Sequence, residues 1–448
     1  MGRFGFLWLI TGLLSACAHG PAHRQTETSA PVANTVSVTS ELIFDTKSGE
    51  SLSEDALKRR FIETPWLLWG EQHDQARHHV LRARWLRHWA EALPVAQPSA
   101  GLARHRAASA DPIALGRRMQ AAIVFEHLDR EHGAALRQVQ ARQPRGPLVD
   151  WLAAARFDAK RWGEAVYQPL FEAARHSGVY WVAGNLSREA ARRWMIMPGT
   201  PGTKSTTGTA AAGGTAGTEA WLKPRLAAHS AQPADADWLA TLRAADWNQQ
   251  AEAHLLAAVR VGHCDALPES MLVPMAAAQR LRDAALAAGL KQAAGSAGPM
   301  QPASLARRLA NDRAGLAAQH QGDDDALPPR LLLAGNGHVD KRFGVPRYLG
   351  VAEAQVLVMG METVSAQAFT PMVTPSLSSS QQQHRSPRLS DWVGPARASR
   401  MAAAYDVVVL TPVSPEAVPD HCAVFRDGKS QAGKSPAAMR QAGSQPPR

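Results

Sequence analysis

Short apolar runs recur along this chain, and segments with a helical pattern separate them. Four runs are strong and two near the C-terminus are weaker: 66–69, 122–125, 179–183 and 331–334, then 356–359 and 407–410. The strands of a parallel sheet are buried on both faces, so they are apolar throughout instead of alternating with polar residues. The pattern therefore predicts an α/β fold in which helices flank a parallel sheet.

A long Ala-rich stretch interrupts this alternation between the third and fourth runs. Residues 219–324 show helical periodicity and contain no strand-like run, so we expect a smaller all-helical subdomain there. The α/β domain would then comprise residues 41–198 and 325–426. Three low-complexity or polar segments, rich in residues such as Gly, Ser and Pro, are predicted to be disordered: 199–218, 372–399 and 427–448.

The N-terminus has the pattern of an export signal. A single basic residue precedes the apolar run 4–14, which is too short to cross a bilayer because a spanning helix needs about 20 residues. The residues Leu-Ser-Ala-Cys at 14–17 resemble the lipobox of bacterial lipoproteins, which predicts that Cys17 carries lipid. Residues 1–17 would be the signal peptide and lipobox, and residues 18–40 a tether. Because residue 18 is not Asp, we expect anchoring to the outer membrane, facing the periplasm.

The charge of the chain does not indicate a nucleic-acid partner. Its 49 Lys and Arg exceed its 39 Asp and Glu, giving a formal net charge of +10, but the basic residues are scattered among acids. The sequence contains no long basic run and no basic stripe with interleaved aromatic residues. We therefore expect no binding to nucleic acid.

Export also decides how the two remaining cysteines are interpreted. Cys264 and Cys422 would lie in an oxidising compartment, where disulfides form and persist. They are a candidate pair, although the sequence leaves open whether they approach each other.

Polar residues follow each strong apolar run at the point where the predicted strand ends. The carboxyl ends of parallel strands lie at one edge of a sheet, where open α/β sheets bind their ligands. The candidate site residues are Glu71 and His73 after the first run, Glu126 after the second, Asn185 after the third and His338 after the fourth. Such a group could ligate a metal ion, use Glu as a general base beside His, or hydrogen-bond a large cofactor. The spacing does not choose among these, and the HExxH helix pair of zinc proteases is not formed here.

Several longer motifs surround these residues. They are GEQH at 70–73 with HH at 78–79, WGEAVYQPL at 162–170, AGNLSR at 183–188, GHC at 262–264 with QRLRD at 279–283, GNGHV at 335–339 with GVP at 344–346, and TP at 411–412 with DHC at 420–422. This ordered series resembles the ChaN-type haem-binding, iron-regulated lipoproteins of the Tiki and erythromycin-esterase-like superfamily. The resemblance covers residues 60–195, 250–362 and 402–426, and it departs from the family at residue 421, where Pro is more usual.

The resemblance implies a lipid-anchored periplasmic protein that binds haem and acts in haem or iron uptake or handling. It also implies a possible homodimer with the cofactor at its interface. Ligation in this family is similar to tyrosinate ligation, in which a hard phenolate oxygen suits ferric iron. Tyr167 lies in a family-like motif and is the first candidate for the axial ligand, with His127 as a possible second ligand. The other predicted cofactor-binding residues are His73, Asn185, His263 and His338, and the other tyrosines to consider are Tyr180, Tyr348 and Tyr405.

The same superfamily also contains metal-dependent hydrolases with Glu and His at similar strand ends. In that alternative the catalytic candidates are Glu71, His73, Glu126 and His338. Haem binding without enzymatic activity is the preferred hypothesis, because the motifs resemble the haem-binding branch most closely.

Overall fold

A computed structural model describes residues 41–93, 121–195, 217–228, 233–292, 329–365 and 387–413, together with Cys422. Its centre is a seven-stranded sheet. The strands are β1 (Leu42–Asp45), β2 (Trp66–Trp69), β3 (Ala122–Asp129), β4 (Tyr180–Asn185), β5 (Arg330–Leu333), β6 (Val356–Ser365) and β7 (Val407–Val413). Their order is β1-β7-β6-β2-β5-β3-β4, and all neighbours are parallel except β1 and β7. The predicted α/β fold with a parallel sheet is confirmed.

Fifteen α-helices of the described residues connect and cover these strands. The first seven are α1 (Glu54–Glu63), α2 (Ala76–Ala92), α3 (Gly133–Arg142), α4 (Leu148–Ala154), α5 (Ala159–Trp162), α6 (Glu164–Ser177) and α7 (Arg188–Met195). The others are α8 (Thr218–Ala228), α9 (Ala236–Arg243), α10 (Gln249–Gly262), α11 (Glu269–Gln292), α12 (Asn336–Val339), α13 (Pro346–Leu349), α14 (Leu389–Val393) and α15 (Pro395–Ala404). None of the described helices is long and apolar enough to cross a membrane.

The two faces of the sheet carry separate apolar cores. Leu67 and Trp69 of β2 belong to the core beneath α2 and α6, whereas Leu68 belongs to the core beneath α11. The alternation arises because successive side chains of a β-strand point to opposite faces of the sheet. Each of these fully buried side chains stabilises the fold by about 1.5–3 kcal/mol relative to an exposed one. Both faces are covered, which is why the strands are apolar throughout.

The Ala-rich helical stretch forms one of these covering layers in the structure. Leu281 and Leu286 of α11 lie in the same buried cluster as Val124 of β3 and Leu332 of β5. Many small residues along α11 let the helix lie close to the sheet, and Gly289 faces the β3 side chain of Val124. The described part of 219–324 is helical, as expected, and it is joined to the sheet through a shared core.

The segment 372–399, predicted to be disordered, contains two helices in its described part. Helix α14 buries Leu389, and α15 begins with Pro395, a residue that suits the first turn because its missing N–H needs no partner there. Met401 and Ala404 of α15 are buried against the sheet core. The prediction of disorder was wrong for these residues. The segment is polar overall, but its few apolar side chains have the spacing of a short helix. Thr218 begins α8, and the predictions for 1–40, 199–216, 372–386 and 427–448 concern residues outside the described ones.

Cys264 and Cys422 are joined by a disulfide, with their Cα atoms 5.7 Å apart. The bond connects the end of α10 to the chain that follows β7. The pairing that the sequence left open is thus present.

Candidate functional site

The carboxyl ends of β2, β3 and β5 lie side by side. Trp69 and Phe125 both pair with Leu333, so the residues that follow these three strands reach the same edge. Glu71 and His73 follow β2, Glu126 and His127 lie near the end of β3, and Gly335 follows β5. The strand-end residues that the sequence singled out on these strands therefore do come together.

Glu71 is the centre of the first of two polar clusters, which we call the Glu71 cluster: Glu71, His73, His79, Arg82, His127 and Tyr167. One carboxylate oxygen of Glu71, Oε1, lies 2.7 Å from His73 Nδ1, 3.0 Å from His127 Nε2 and 2.7 Å from the Tyr167 hydroxyl, which donates to it. Three donors on one oxygen fix the carboxylate in place. The arrangement orients His73 with its Nδ1–H directed at Glu71.

The other oxygen of Glu71 meets two side chains of α2, one charged and one neutral. The guanidinium of Arg82 pairs directly with Oε2, and His79 Nδ1 lies 3.1 Å from it. Burial lowers the pKa of Arg82 to about 10, which leaves the guanidinium charged at neutral pH. Burial likewise lowers the pKa of His79 to about 4, so this imidazole is neutral. Glu71 and Arg82 thus form a buried ion pair.

The second group, the Glu126 cluster, consists of Glu126, His338 and Asp283 on the opposite side of the sheet edge. His338 Nε2 lies 3.2 Å from Glu126 Oε1 and its Nδ1 lies 2.6 Å from Asp283 Oδ1. The backbone N–H of Gly335 donates to Glu126 Oε2 at 2.7 Å. Burial opposes the charge of His338, but the two carboxylates outweigh burial and raise its pKa to about 10. Burial likewise favours neutral Glu126, but the charge of His338 holds the pKa of Glu126 well below its usual range.

His73, a member of the Glu71 cluster, also approaches the Glu126 cluster. It is the partly exposed imidazole of the two clusters. Its side chain is 25% exposed, whereas those of Glu71 and His127 are fully buried. Its Nε2 is 3.8 Å from Glu126 Oε1, beyond hydrogen-bonding distance. A Cβ at Gly335 would stand only 2.7 Å from this nitrogen, so the glycine keeps a space beside His73 Nε2.

An aromatic wall closes the Glu71 cluster on one side. The ring of Trp162 lies 5.0 Å from that of His73 and 4.8 Å from that of His127, both edge-on. Gly163, with φ +76°, makes the turn between α5 and α6 that a residue with a side chain rarely adopts. This turn lets Trp162 of α5 and Tyr167 of α6 approach the same cluster.

Residues 59–197 match the haem-binding uptake family, ChaN, of the Tiki superfamily. The family resemblance of the sequence motifs is confirmed over this segment. A solved structure, described as cofacial haem binding to ChaN of Campylobacter jejuni, is similar to this chain with a TM-score of 0.46 and 12% sequence identity. The alignment covers 82% of this chain and 96% of the Campylobacter jejuni chain. No curated protein matches this chain.

Tyr167, the first candidate for the axial ligand, lies inside the Glu71 cluster. Tyr167 is fully buried, and its hydroxyl donates to Glu71. Burial raises the pKa of this phenol well above its ordinary value, so it stays protonated. In this structure Tyr167 positions Glu71.

The remaining predicted site residues lie in different places. His338 donates from both ring nitrogens, so it has no lone pair for a metal ion. Asn185 ends β4 at the same edge and is fully buried, and within the described residues its side-chain atoms lack hydrogen-bond partners. His263 follows α10, where its Nδ1 is 2.7 Å from the Val259 carbonyl oxygen, and it is not among the residues of either cluster.

The other candidate tyrosines are not among the residues of either cluster. Tyr348 and Tyr405 are buried, and Tyr180 begins β4 at the opposite edge of the sheet. His127 is buried and neutral, because burial lowers its pKa well below the usual range.

The sequence missed three groups that complete the two clusters. All three lie on helices: Arg82, His79 and Asp283. The motifs that contain His79 and Asp283 were noted without a role. One signal was available for His79 and Arg82. They are spaced i, i+3 on α2, so they share a face of that helix.

The donor set fits a haem iron better than it fits a divalent cation held by Glu71. Ligand atoms of Glu71, His73 and His127 lie within 4.8 Å of one another, as in a metal site, but the charged guanidinium of Arg82 rests on the same carboxylate and opposes a second cation. His73 directs its Nδ1–H to Glu71, as metal-ligating imidazoles usually do toward a carboxylate. With Nδ1–H directed to Glu71, the lone pair of a neutral His73 ring is on Nε2, the atom that Gly335 approaches.

Proposed function

We propose that this protein is a lipid-anchored, periplasmic haem-binding protein of haem or iron uptake, and that it holds haem at the edge formed by β2, β3 and β5. The match of residues 59–197 to the haem-binding uptake family carries the proposal, because this segment supplies Glu71, His73 and His127. His73 is the residue that would face the iron. Haem would supply the iron, and the protein would bind and orient it. A homodimer around the cofactor is part of the proposal.

The first prediction concerns two substitutions beside the iron. His73→Ala removes the donor, and Gly335→Ala fills the space beside Nε2, although its backbone (φ −67°, ψ 155°) suits alanine. Each should lower hemin affinity by about 10- to 100-fold, the range seen when groups that support a metal ligand are lost. Titration of the purified protein with hemin, followed by Soret absorbance, measures this.

Two matched controls make the same kinds of change away from the site. His176→Ala removes an exposed imidazole on α6, and Gly337→Ala adds a methyl group where nothing lies within 4 Å. Both should bind hemin as the wild type does. Absence of saturable hemin binding by the wild type would refute the proposed function. Wild-type affinity in His73→Ala would refute only the assignment of His73. Molar mass with and without hemin measures the dimer.

The hydrolase alternative predicts a different outcome. The contacts that lead from Glu71 through His73 and Glu126 to His338 bring together the four residues it would use. Under that alternative His73→Ala removes a bound divalent ion, measured by metal analysis of the purified protein, and hemin binds without a Soret shift. The charge of Arg82 beside Glu71 disfavours it.

The second prediction concerns the anchor. Cys17→Ser should release the protein from the membrane fraction, because only the thiol at this position can carry lipid and the acyl chains supply about 0.8 kcal/mol per buried methylene group. Fractionation of cells that express each form is the measurement. Recovery of the serine variant in the detergent-extracted membrane, or of the wild type in the soluble periplasm, would contradict the anchoring proposal.

A further inference from the structure

Arg330, the first residue of β5, carries a buried guanidinium at the amino end of the sheet. The residue is fully buried, and none of its three guanidinium nitrogens has a hydrogen-bond partner among the described residues. Its register partner on β2 is Trp66, and the guanidinium carbon lies 4.5 Å from the centre of that ring. Burial lowers the pKa of Arg330 to about 10, so the side chain is charged at neutral pH. The described residues therefore leave this buried cation without a counter-ion.

The other arginines that are as fully buried do have a counter-ion. Within the described part of the chain these are Arg82 and Arg280, and both pair with a carboxylate. Arg280 also stacks on the indole ring of Trp247, at 4.0 Å, so stacking and ion pairing occur together there. An arginine is rarely buried without such a pair, because the loss of hydration strongly disfavours an isolated charge. Arg330 has the stacked ring but lacks the anion.

The position of Arg330 separates it from the candidate site. Arg330 begins β5, whereas Gly335, which borders the site, follows the last residue of that strand. The four residues of β5 span about 13 Å at the usual rise of an extended chain. A ligand of Arg330 would therefore lie at the opposite end of the sheet from the haem proposed above.

We propose that Arg330 binds a small inorganic oxyanion at the amino end of the sheet. The planar fork of its N–H groups matches the oxygens of such an ion and gives parallel charge-assisted hydrogen bonds, a geometry that a spherical chloride ion does not match. Stacking on Trp66 restricts the rotamers of the guanidinium, so fewer are lost when the ion binds. The ion supplies the missing counter-charge and stabilises the folded protein, because it binds the folded state in preference to the unfolded one. This inference does not rest on the proposed function.

The test measures binding of inorganic phosphate to the full-length protein without hemin. Isothermal titration calorimetry should find one saturable site in the wild type, and the melting temperature should rise more with phosphate than with chloride at the same ionic strength. Arg330→Met removes the charge, keeps an apolar chain over Trp66 and should lose the saturable binding. Arg330→Lys keeps the charge without the fork and should bind phosphate about 10-fold more weakly. Arg142→Met makes the same change on the exposed surface of α3 and should bind as the wild type does.

Stability in phosphate-free buffer separates a free ion from an oxyanion that the chain itself supplies. Arg330→Met should be at least as stable as the wild type there, because it removes a buried charge that has no partner. The chain has three aspartates at 323–325, shortly before β5 in the sequence and outside the described residues. If one of these carboxylates held Arg330, both Arg330→Met and replacement of all three aspartates by asparagine would lower the melting temperature in phosphate-free buffer.

Each outcome decides for or against the proposal. Saturable phosphate binding that Arg330→Met loses and Arg142→Met keeps supports it. Absence of saturable binding by the wild type, or unchanged binding by a folded Arg330→Met protein, overturns it. A clear loss of stability in Arg330→Met in phosphate-free buffer, up to failure to fold, also overturns it, because the chain itself would then supply the partner. None of these results bears on hemin binding, which the His73 and Gly335 variants test.

Discussion

Replacement of Glu71 by alanine is expected to destabilise the protein by about 3–5 kcal/mol, the cost of leaving one member of a buried ion pair without its partner. The side chains of Glu71 and Arg82 are both fully buried. Removal of the carboxylate leaves the guanidinium without a counter-ion and also deprives His73 and Tyr167 of their acceptor. Urea unfolding followed by circular dichroism measures the change in the free energy of unfolding.

Two further variants isolate the cause of that loss. Glu91→Ala removes an exposed carboxylate from α2 and should change stability by no more than about 0.5 kcal/mol. Replacement of both members, Glu71→Leu with Arg82→Met, should recover much of the lost stability, because a buried ion pair exchanged for apolar residues is often close to neutral. A loss below about 1 kcal/mol in Glu71→Ala would show that Arg82 finds another partner or water.

Loss of the disulfide is expected to have an effect of similar size. The bond joins cysteines that are 158 residues apart. Closure of so long a loop restricts the unfolded chain, and the chain-entropy model gives a stabilisation of up to about 5 kcal/mol. The variant with both Cys264→Ser and Cys422→Ser should therefore unfold at a lower temperature than the oxidised wild type.

A reductant provides the control for this measurement. It should lower the melting temperature of the wild type toward that of the double serine variant and leave the variant unchanged. Titration of denatured, unreduced mature protein should find neither thiol free. Two titratable thiols, or equal melting temperatures with and without reductant, would contradict the prediction.

The strands could be predicted from the sequence because a buried parallel strand is recognisable by local composition alone. Runs such as 66–69 and 407–410 are apolar on both faces, and they became β2 and β7. The antiparallel edge strand β1 was missed because it has four residues and only its two central residues are buried. The role of α11 was also missed, since a helix rich in Ala has no strong apolar stripe that points toward the sheet.

The site could be predicted only in part for a related reason. The ends of parallel strands have a known meeting point, so Glu71, Glu126 and His338 could be placed together from the order of residues alone. Whether a helical side chain points toward that meeting point depends on how the helix packs against the sheet. The positions of Arg82 and Asp283 therefore could not be predicted from the order of residues. Exposure is likewise a tertiary property, so the sequence could not show that Tyr167 is fully buried whereas His73 is partly exposed.

Two adjacent residues of β3 fix the register in which this strand pairs with its neighbours. Glu126 points to His338 on one face, and His127 points to Glu71 on the other. A slip of one residue in strand pairing exchanges the two faces. It would place the Glu126 carboxylate against that of Glu71 and the His127 ring against that of His338, so like groups would meet in a buried setting where their repulsion is strong. An apolar strand such as β3 could otherwise pair in several alignments at little cost, and these two side chains specify one.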